Sequence, residues 1–139
     1  MELESMLFPL PPAKPPDQMN PIALAYIGDA IFEVYIRQCV LSKLNHRPNH
    51  LHRLTTRFVA AKSQARLLGE MLPILTEEEL HVVKRGRNAK SGSAPKSAEM
   101  LEYRQSTAFE CLIGYLYYTG RNERLRELLA TIVIDIEGE

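Results

Sequence analysis

The amino-acid sequence predicts an all-α protein. Hydrophobic residues recur at the three- and four-residue intervals of helices along most of the chain, and no alternating pattern long enough for a β-strand occurs. Two of the helical stretches are apolar on nearly every face, which is typical of helices at the centre of a domain. A chain of 139 residues can bury a core without disulfides or metal ions, so we expect one helical domain.

The N-terminal segment, residues 1–19, is predicted to be an extended tail. Five prolines fall within eight consecutive positions of this segment, which argues against a helix or a central strand. The hydrophobic side chains of Leu7, Phe8 and Leu10 are expected to pack against the domain, so that the tail runs along its surface. The domain itself is expected to span residues 20–139.

The first two helical stretches follow the tail. Asn20 is a typical N-cap and Pro21 is favoured at the first helical position, so a helix is expected to begin here and run to about Lys43. It is one of the two stretches that are apolar on nearly every face, and we expect it to be buried. A second stretch covers residues 49–71, with a break expected near residues 61–63.

A third helix has a sequence signature at its start. Thr76 and Glu79 form a capping box, in which each side chain satisfies a backbone N–H of the other residue. The helix is expected to end near Asn88. Residues 89–96 follow as a loop, because they contain glycine, proline and serine but no hydrophobic pattern.

The C-terminal part is predicted to contain two more helices. Residues 97–118 form the first of them, and its second half is the other stretch that is apolar on nearly every face. Gly120 is expected to end this helix, because glycine readily adopts the left-handed conformation found there. Asn122 is then expected to cap an amphipathic helix that runs to Ile136.

Each of the two apolar helices contains one acidic residue, Asp29 in the first and Glu110 in the second. An ionised carboxylate in an apolar environment costs several kcal/mol unless it is paired or bound to a metal ion. Structural pairing with an Arg or Tyr is one explanation and a functional site is the other. Glu33, one turn after Asp29 on the same face, has two interpretations: it assists the site through a water, or it forms an ion pair with Arg37, which the i,i+4 spacing favours.

Glycines near the two acids indicate that their helices cross closely. Gly28 precedes Asp29, and Gly114 lies one turn after Glu110. A glycine inside a helix costs roughly 1 kcal/mol relative to alanine, so it usually marks a close approach. Such a crossing would bring the two carboxylates together. Two hard oxygen ligands on rigid helices are typical of a Mg²⁺ site that waters and a substrate phosphate complete.

The net charge of zero conceals a segregated charge pattern. Nucleic-acid-binding domains usually have a basic isoelectric point, so 17 basic and 17 acidic residues argue against binding by bulk charge. Residues 34–69 and 80–98, however, contain 12 of the 17 basic residues and no acidic residue. Such segments favour contacts with phosphates, although a solvated polar face is the usual alternative. The candidate RNA-binding residues are Arg53, Arg57, Lys62, Arg66, Lys84, Arg85, Arg87 and Lys90.

The cellular setting is predicted from cysteine content and hydropathy. Two cysteines cannot form a disulfide framework or a four-ligand zinc cluster, which favours the reducing cytoplasm. The N-terminus is acidic where a signal peptide needs positive charge. The longest apolar stretches are interrupted by acids, so no membrane span is expected.

Two motifs resemble those of a known enzyme family. LAYIGDAIFE, residues 24–33, resembles the signature helix of ribonuclease III catalytic domains, and STAFECLIGYLYYTG, residues 106–120, resembles their later helix. The order and separation of the motifs also fit that family. The match covers a catalytic domain alone, so no double-stranded-RNA-binding domain is expected, and in this respect the chain resembles the Mini-ribonuclease III group. The resemblance implies a ribonuclease III-like helical bundle.

The resemblance also implies residue roles and a reaction. Asp29 takes the position of the catalytic aspartate, and Glu110 takes that of the metal-binding glutamate. Two further family carboxylates are replaced by Ala25 and Thr107, a reduction that the Mini-ribonuclease III group shares. The implied protein is a homodimer that cleaves double-stranded RNA with Mg²⁺, leaves 5′-phosphate and 3′-hydroxyl ends, and matures the 23S ribosomal RNA precursor.

Two matters stay open at this point. A ribosomal protein or a pre-ribosomal particle is a candidate partner that would present the RNA. Loss of the acids at Ala25 and Thr107 leaves an alternative function, a non-catalytic helical module that binds ribosomal RNA or a protein partner.

Overall fold

The structure, a computed structural model, describes residues 6–89 and 98–131. Within these ranges it is helical and contains no strand, which confirms the predicted all-α class. Two short 3₁₀ turns, Pro16–Gln18 and Leu72–Ile74, accompany the α-helices. The helices are α1 (Pro21–Leu41), α2 (Pro48–Val59), α3 (Ala61–Met71), α4 (Glu77–Arg87), α5 (Ala98–Tyr118) and α6 (Asn122–Ala130).

Helix α5 is the centre of the bundle, and α1, α3 and α4 all pack against it. The rings of Phe32 on α1 and Phe109 on α5 meet edge to face, with centroids 4.9 Å apart. Both side chains are fully buried, as are Leu24 and Leu112 on the same two helices. The contact between α1 and α5 therefore forms the middle of the hydrophobic core.

The two helices touch backbone to backbone at the predicted glycines. A Cβ atom on Gly28 would lie 1.8 Å from the carbonyl oxygen of Glu110. A Cβ atom on Gly114 would lie 2.0 Å from the carbonyl oxygen of Leu24. Any larger residue at either position would separate the helices, so the prediction of a close crossing is confirmed.

Helix α1 is not buried on every face, and that part of the prediction is wrong. One side packs on α5, whereas an apolar stripe on the other side faces solvent. The side chain of Tyr26 on this stripe is 84% exposed. We call it the α1 stripe; its members are Ala23, Tyr26, Ala30, Val34 and Leu41. In contrast, the second half of α5 is enclosed by neighbouring helices, as predicted.

The N-terminal segment is anchored by other residues than predicted. Leu7, Phe8 and Leu10 are exposed, so the prediction that they hold the tail is wrong. Met6 is buried instead, and the neighbouring backbone N–H of Leu7 donates to the Tyr117 hydroxyl over 3.0 Å. These two contacts, at Met6 and at the backbone of Leu7, fix the start of the segment without using the Leu7, Phe8 or Leu10 side chains.

The helix starts agree with their sequence signatures in two of three cases. The Asn20 side chain accepts a hydrogen bond from the N–H of Ile22, and Thr76 and Glu79 form the complete capping box. Asn122, however, is the first residue of α6 and not its cap. Gly120 adopts a positive φ of 71° and ends α5 as predicted, and this turn places Arg121 at the cap position.

The remaining boundaries lie close to the predicted ones. The stretch 49–71 is divided at Ala60, whose extended backbone separates α2 from α3. Pro48 is the first residue of α2, one position before the predicted start of this stretch at residue 49. The end of the predicted last helix, including Ile136, and most of the loop 89–96 lie outside the described residues.

Candidate functional site

Asp29 and Glu110 lie together in an open cleft of about 200 Å³ beside the crossing of α1 and α5. Gly28 allows the two helix backbones to touch there, which brings the acids within reach of each other. The cleft is also lined by Ile22, Ala25, Tyr26, Tyr103, Ser106 and Thr107.

The two carboxylates differ in exposure. Asp29 is exposed, so the expectation that both acids are buried is wrong for this residue; Glu110 is half-buried. The difference arises because the cleft opens on the solvent side of α1, whereas Glu110 projects from the enclosed helix α5.

The carboxyl groups of Asp29 and Glu110 lie close enough in the cleft to interact electrostatically. The pKa of Glu110 is raised to about 8, first by burial and then by the hydrogen bond and negative charge of Asp29, while a hydrogen bond from Gln64 opposes the rise. A cation placed between these groups would relieve the repulsion that favours the proton. Two adjacent carboxylates with open space beside them are suitable ligands for Mg²⁺, which binds few protein groups and keeps several waters.

The described residues contain no cluster of three or more His, Cys, Asp or Glu side chains that could hold a metal ion. Ala25 and Thr107 explain why, because both line the cleft next to the two carboxylates where acids would provide further ligands. Thr107 instead donates its hydroxyl proton to the carbonyl oxygen of Tyr103 over 3.1 Å. A metal ion here would have two protein side chains as ligands and water in its other positions.

Two polar residues behind Glu110 were not predicted from the sequence. Gln64 on α3 is fully buried, and its amide nitrogen donates to Oε2 of Glu110 over 3.3 Å. Ser106 on α5 donates its hydroxyl proton to Oε1 of Gln64 over 2.5 Å. The sequence does contain a signal for the burial of Gln64. This polar residue falls at helical spacing on the apolar face of α3 that carries Leu67, Leu68 and Met71.

The structure gathers three of the predicted RNA-binding residues on one surface. Arg57, Lys62 and Arg66 line a shallow depression where α2 meets α3, together with Glu102 of α5. Glu102, which lines this depression, and Tyr103, which lines the cleft, are consecutive residues of α5. We call it the basic depression.

The other predicted RNA-binding residues lie elsewhere. Arg53 lines a separate surface with Arg47 and His50 at the start of α2. Lys84 and Arg87 lie on the last turn of α4, and Lys90 is outside the described residues.

Arg85 has a structural role that the sequence did not predict. Its guanidinium group donates to the carbonyl oxygens of Asp17 and Met19, over 3.2 and 2.8 Å. These bonds tie the N-terminal segment to α4. Because Arg85 is half-buried and engaged in this way, it is a weaker candidate for RNA contact than Arg57, Lys62 or Arg66.

Comparison with known proteins identifies the family to which the chain belongs. The family model described as the ribonuclease III domain matches residues 22–121, which include Asp29, Glu110 and both glycines of the helix crossing. The chain belongs to the ribonuclease III family. It is therefore an endoribonuclease, and family membership favours catalysis over the alternative of a non-catalytic binding module.

Similar proteins place the chain more narrowly within the ribonuclease III family. It is 48% identical to Mini-ribonuclease 3 of Brevibacillus brevis over 124 residues, which cover 89% of this chain and 92% of that relative. It is 52% identical to Mini-ribonuclease 3 of Enterococcus faecalis over 114 residues, 81% of this chain and 86% of the relative. These matches confirm the resemblance to the Mini-ribonuclease III group.

A solved structure has the same fold. The crystal structure of protein FN1578 from Fusobacterium nucleatum superposes with a TM-score of 0.76 at 27% identity, covering 87% of this chain and 98% of that protein.

The helices were also compared with the requirements of a membrane span. In the ranges that the structure describes, none combines the length and the hydropathy that crossing a bilayer requires.

Proposed function

We propose that this protein is a Mg²⁺-dependent endoribonuclease that cleaves double-stranded RNA in the maturation of the 23S ribosomal RNA precursor. One observation carries the proposal: Asp29 and Glu110 line the same open cleft, at a point where their two helices are in backbone contact. Resemblance to the Mini-ribonuclease III group supports the choice of RNA substrate. The two free cysteines, Cys39 and Cys111, are consistent with action in the cytoplasm.

Asp29 and Glu110 would hold the Mg²⁺ ion, which when bound would activate a water for attack on phosphorus and stabilise the leaving oxygen. Attack with departure of the 3′ oxygen leaves a 5′-phosphate and a 3′-hydroxyl end. The protein supplies the fixed geometry, since both acids project from helices whose backbones are in contact. Waters would take the ligand positions that acids at Ala25 and Thr107 would otherwise fill.

The basic depression supports binding of a duplex across the cleft. Proteins recognise double-stranded RNA mainly by its shape and backbone, so cations at a fixed distance from the cleft suit this substrate. Arg57, Lys62 and Arg66 would contact phosphates on one side of the scissile bond. The family's candidate partner, a ribosomal protein or a pre-ribosomal particle, would then present the RNA.

The α1 stripe supports a homodimer. Contiguous exposed apolar surface is rare on a monomer and marks contact sites, and a twofold contact is the usual solution in homodimers. Tyr26 belongs both to the stripe and to the wall of the cleft, so a partner subunit on the stripe would lie beside the reaction site.

Cleavage of a labelled RNA duplex tests the catalytic proposal. With Mg²⁺ we expect discrete products that carry 5′-phosphates, and with EDTA we expect intact RNA. A 23S ribosomal RNA precursor should also be cleaved under the Mg²⁺ condition. Binding without cleavage at any Mg²⁺ concentration would contradict the proposal and favour the non-catalytic alternative.

Removing charge from the basic depression should weaken RNA binding. We expect the double substitution Lys62→Ala and Arg66→Ala to lower affinity for duplexes of any sequence and to reduce the slope of log K against log salt by about one for each phosphate that is no longer neutralised. Arg126→Ala removes an exposed cation from α6 and serves as the control. An equal loss in this control would show that net charge, and not position, governs binding.

A charge on the α1 stripe should dissociate the dimer. Val34 is exposed on this stripe, so Val34→Glu would place two carboxylates in the twofold contact without disturbing the core. Light scattering should give half the mass of the unsubstituted protein. Leu80→Glu, an equivalent change at an exposed leucine on α4, should leave the mass unchanged. If the Val34→Glu protein remained a dimer, the interface would not be the α1 stripe.

A further inference from the structure

Gln64 is a buried polar side chain with an unusual position. It belongs to α3, whereas both of its side-chain partners, Ser106 and Glu110, belong to α5. It is fully buried, and Ser106 is nearly so. The three residues thus form a short chain of hydrogen bonds that connects the core between α3 and α5 to the carboxylate at the cleft.

Ser106 holds the end of the Gln64 amide that faces away from Glu110. An ionised carboxylate only accepts hydrogen bonds, so it favours the nitrogen end of the amide, which donates to Oε2 of Glu110. The oxygen end is then directed to Ser106, whose hydroxyl donates to Oε1. The carboxylate is therefore held at one oxygen by a donor that is itself hydrogen-bonded at its other end.

Fixing the orientation of Glu110 should affect metal affinity more in this site, which has two carboxylates, than in a site with many protein ligands. A glutamate side chain has three rotatable bonds, and ordering it on metal binding costs conformational entropy. With Ala25 and Thr107 at the positions of the missing acids, each remaining carboxylate contributes a larger share of the binding energy. Groups that orient metal ligands typically change metal affinity or activity by about 10- to 100-fold when they are removed.

We propose that Gln64, held at its other end by Ser106, is a positioning residue that holds the Glu110 carboxylate ready for the metal ion. The inference rests on the proposed function, because it takes Glu110 as a metal ligand. A purely structural role is the competing explanation, since any buried amide needs hydrogen-bond partners to offset its desolvation.

Metal binding to the full-length protein distinguishes the two roles without reference to cleavage. Mn²⁺, which also takes oxygen ligands and is detected by electron paramagnetic resonance, is the probe. Gln64→Met keeps the length of the side chain and removes both hydrogen bonds. We expect it to weaken Mn²⁺ binding by about 10- to 100-fold. Ser106→Ala should weaken binding less, and Ser106→Thr, which retains the hydroxyl, should restore it.

Kinetics provide the second measurement. At low Mg²⁺ the Gln64→Met protein should have a reduced kcat, which higher Mg²⁺ restores, with an unchanged KM for RNA. Leu128→Val removes buried volume from α6, away from the cleft, and controls for a general loss of stability. It should lower the melting temperature and leave Mn²⁺ affinity unchanged.

The outcomes separate this inference from the proposed function. If the Gln64→Met protein binds Mn²⁺ as tightly as the unsubstituted protein does, the positioning role is wrong. This holds whatever the melting temperature of the variant. If Gln64→Met does not fold, Ser106→Ala decides in the same way. If Asp29→Asn and Glu110→Gln bind Mn²⁺ normally, the metal site itself is wrong and the inference fails with it.

Discussion

Asp29→Asn should abolish cleavage of duplex RNA while leaving the fold and RNA binding intact. The substitution keeps the size of the side chain but removes the negative charge that a Mg²⁺ ligand must supply. Asp29 is exposed, and replacing it with an amide relieves the negative charge beside Glu110, so the free energy of unfolding should change little. We expect the cleavage rate to fall by at least about 100-fold.

Glu33→Gln is the matched control for this result. Glu33 lies one turn further along α1 and forms an exposed ion pair with Arg37, as expected from the sequence. The substitution removes the same charge from the same helix outside the cleft, and exposed pairs of this kind contribute little to stability. Its cleavage rate should equal that of the unsubstituted protein. A normal rate in Asp29→Asn would refute the assignment of this residue.

The proximity of Asp29 and Glu110 could be predicted because it depends on residues with few alternative explanations. A glycine inside an apolar helix has a cost that close packing offsets, and Gly28 and Gly114 are both used in this way. The capping box at Thr76 was equally predictable, since both of its partners lie within one turn of the chain.

The exposure of Asp29 could not be predicted in the same manner. The composition of α1 is the same whether its outer face contacts another helix or a second subunit. Its hydrophobic residues therefore predicted burial that the single chain does not provide, most clearly at Tyr26. Hydrophobic periodicity alone does not distinguish an exposed apolar face from one that is buried in the core.

The hydrogen bonds around Glu110 also could not be predicted from the sequence. Gln64 is separated from Ser106 by 42 residues, and no local pattern connects them. A polar residue on an apolar helix face marks a buried partner but does not identify it. The anchoring of the N-terminal segment by Met6 and Arg85 depends on the same kind of long-range contact.

Gly28→Ala should be the most destabilising single methyl addition at the site, whereas Gly69→Ala should stabilise the protein. The Cβ atom at position 28 would overlap the carbonyl oxygen of Glu110, a backbone atom that cannot rotate away. Overpacking of this severity should cost about 3 kcal/mol or more. Gly69 lies within α3, and a methyl group there would meet no atom within 4 Å, so alanine should gain roughly 0.5 to 1 kcal/mol from helix propensity.

Urea unfolding of the two variants measures both effects against the same reference. Because the methyl group at position 28 pushes α5 away, it should also separate Glu110 from Asp29 and lower cleavage in whatever fraction remains folded. Gly69→Ala should cleave normally. If Gly28→Ala were as stable and as active as the unsubstituted protein, the helices could not be in backbone contact there, and the basis for bringing the two carboxylates together would be lost.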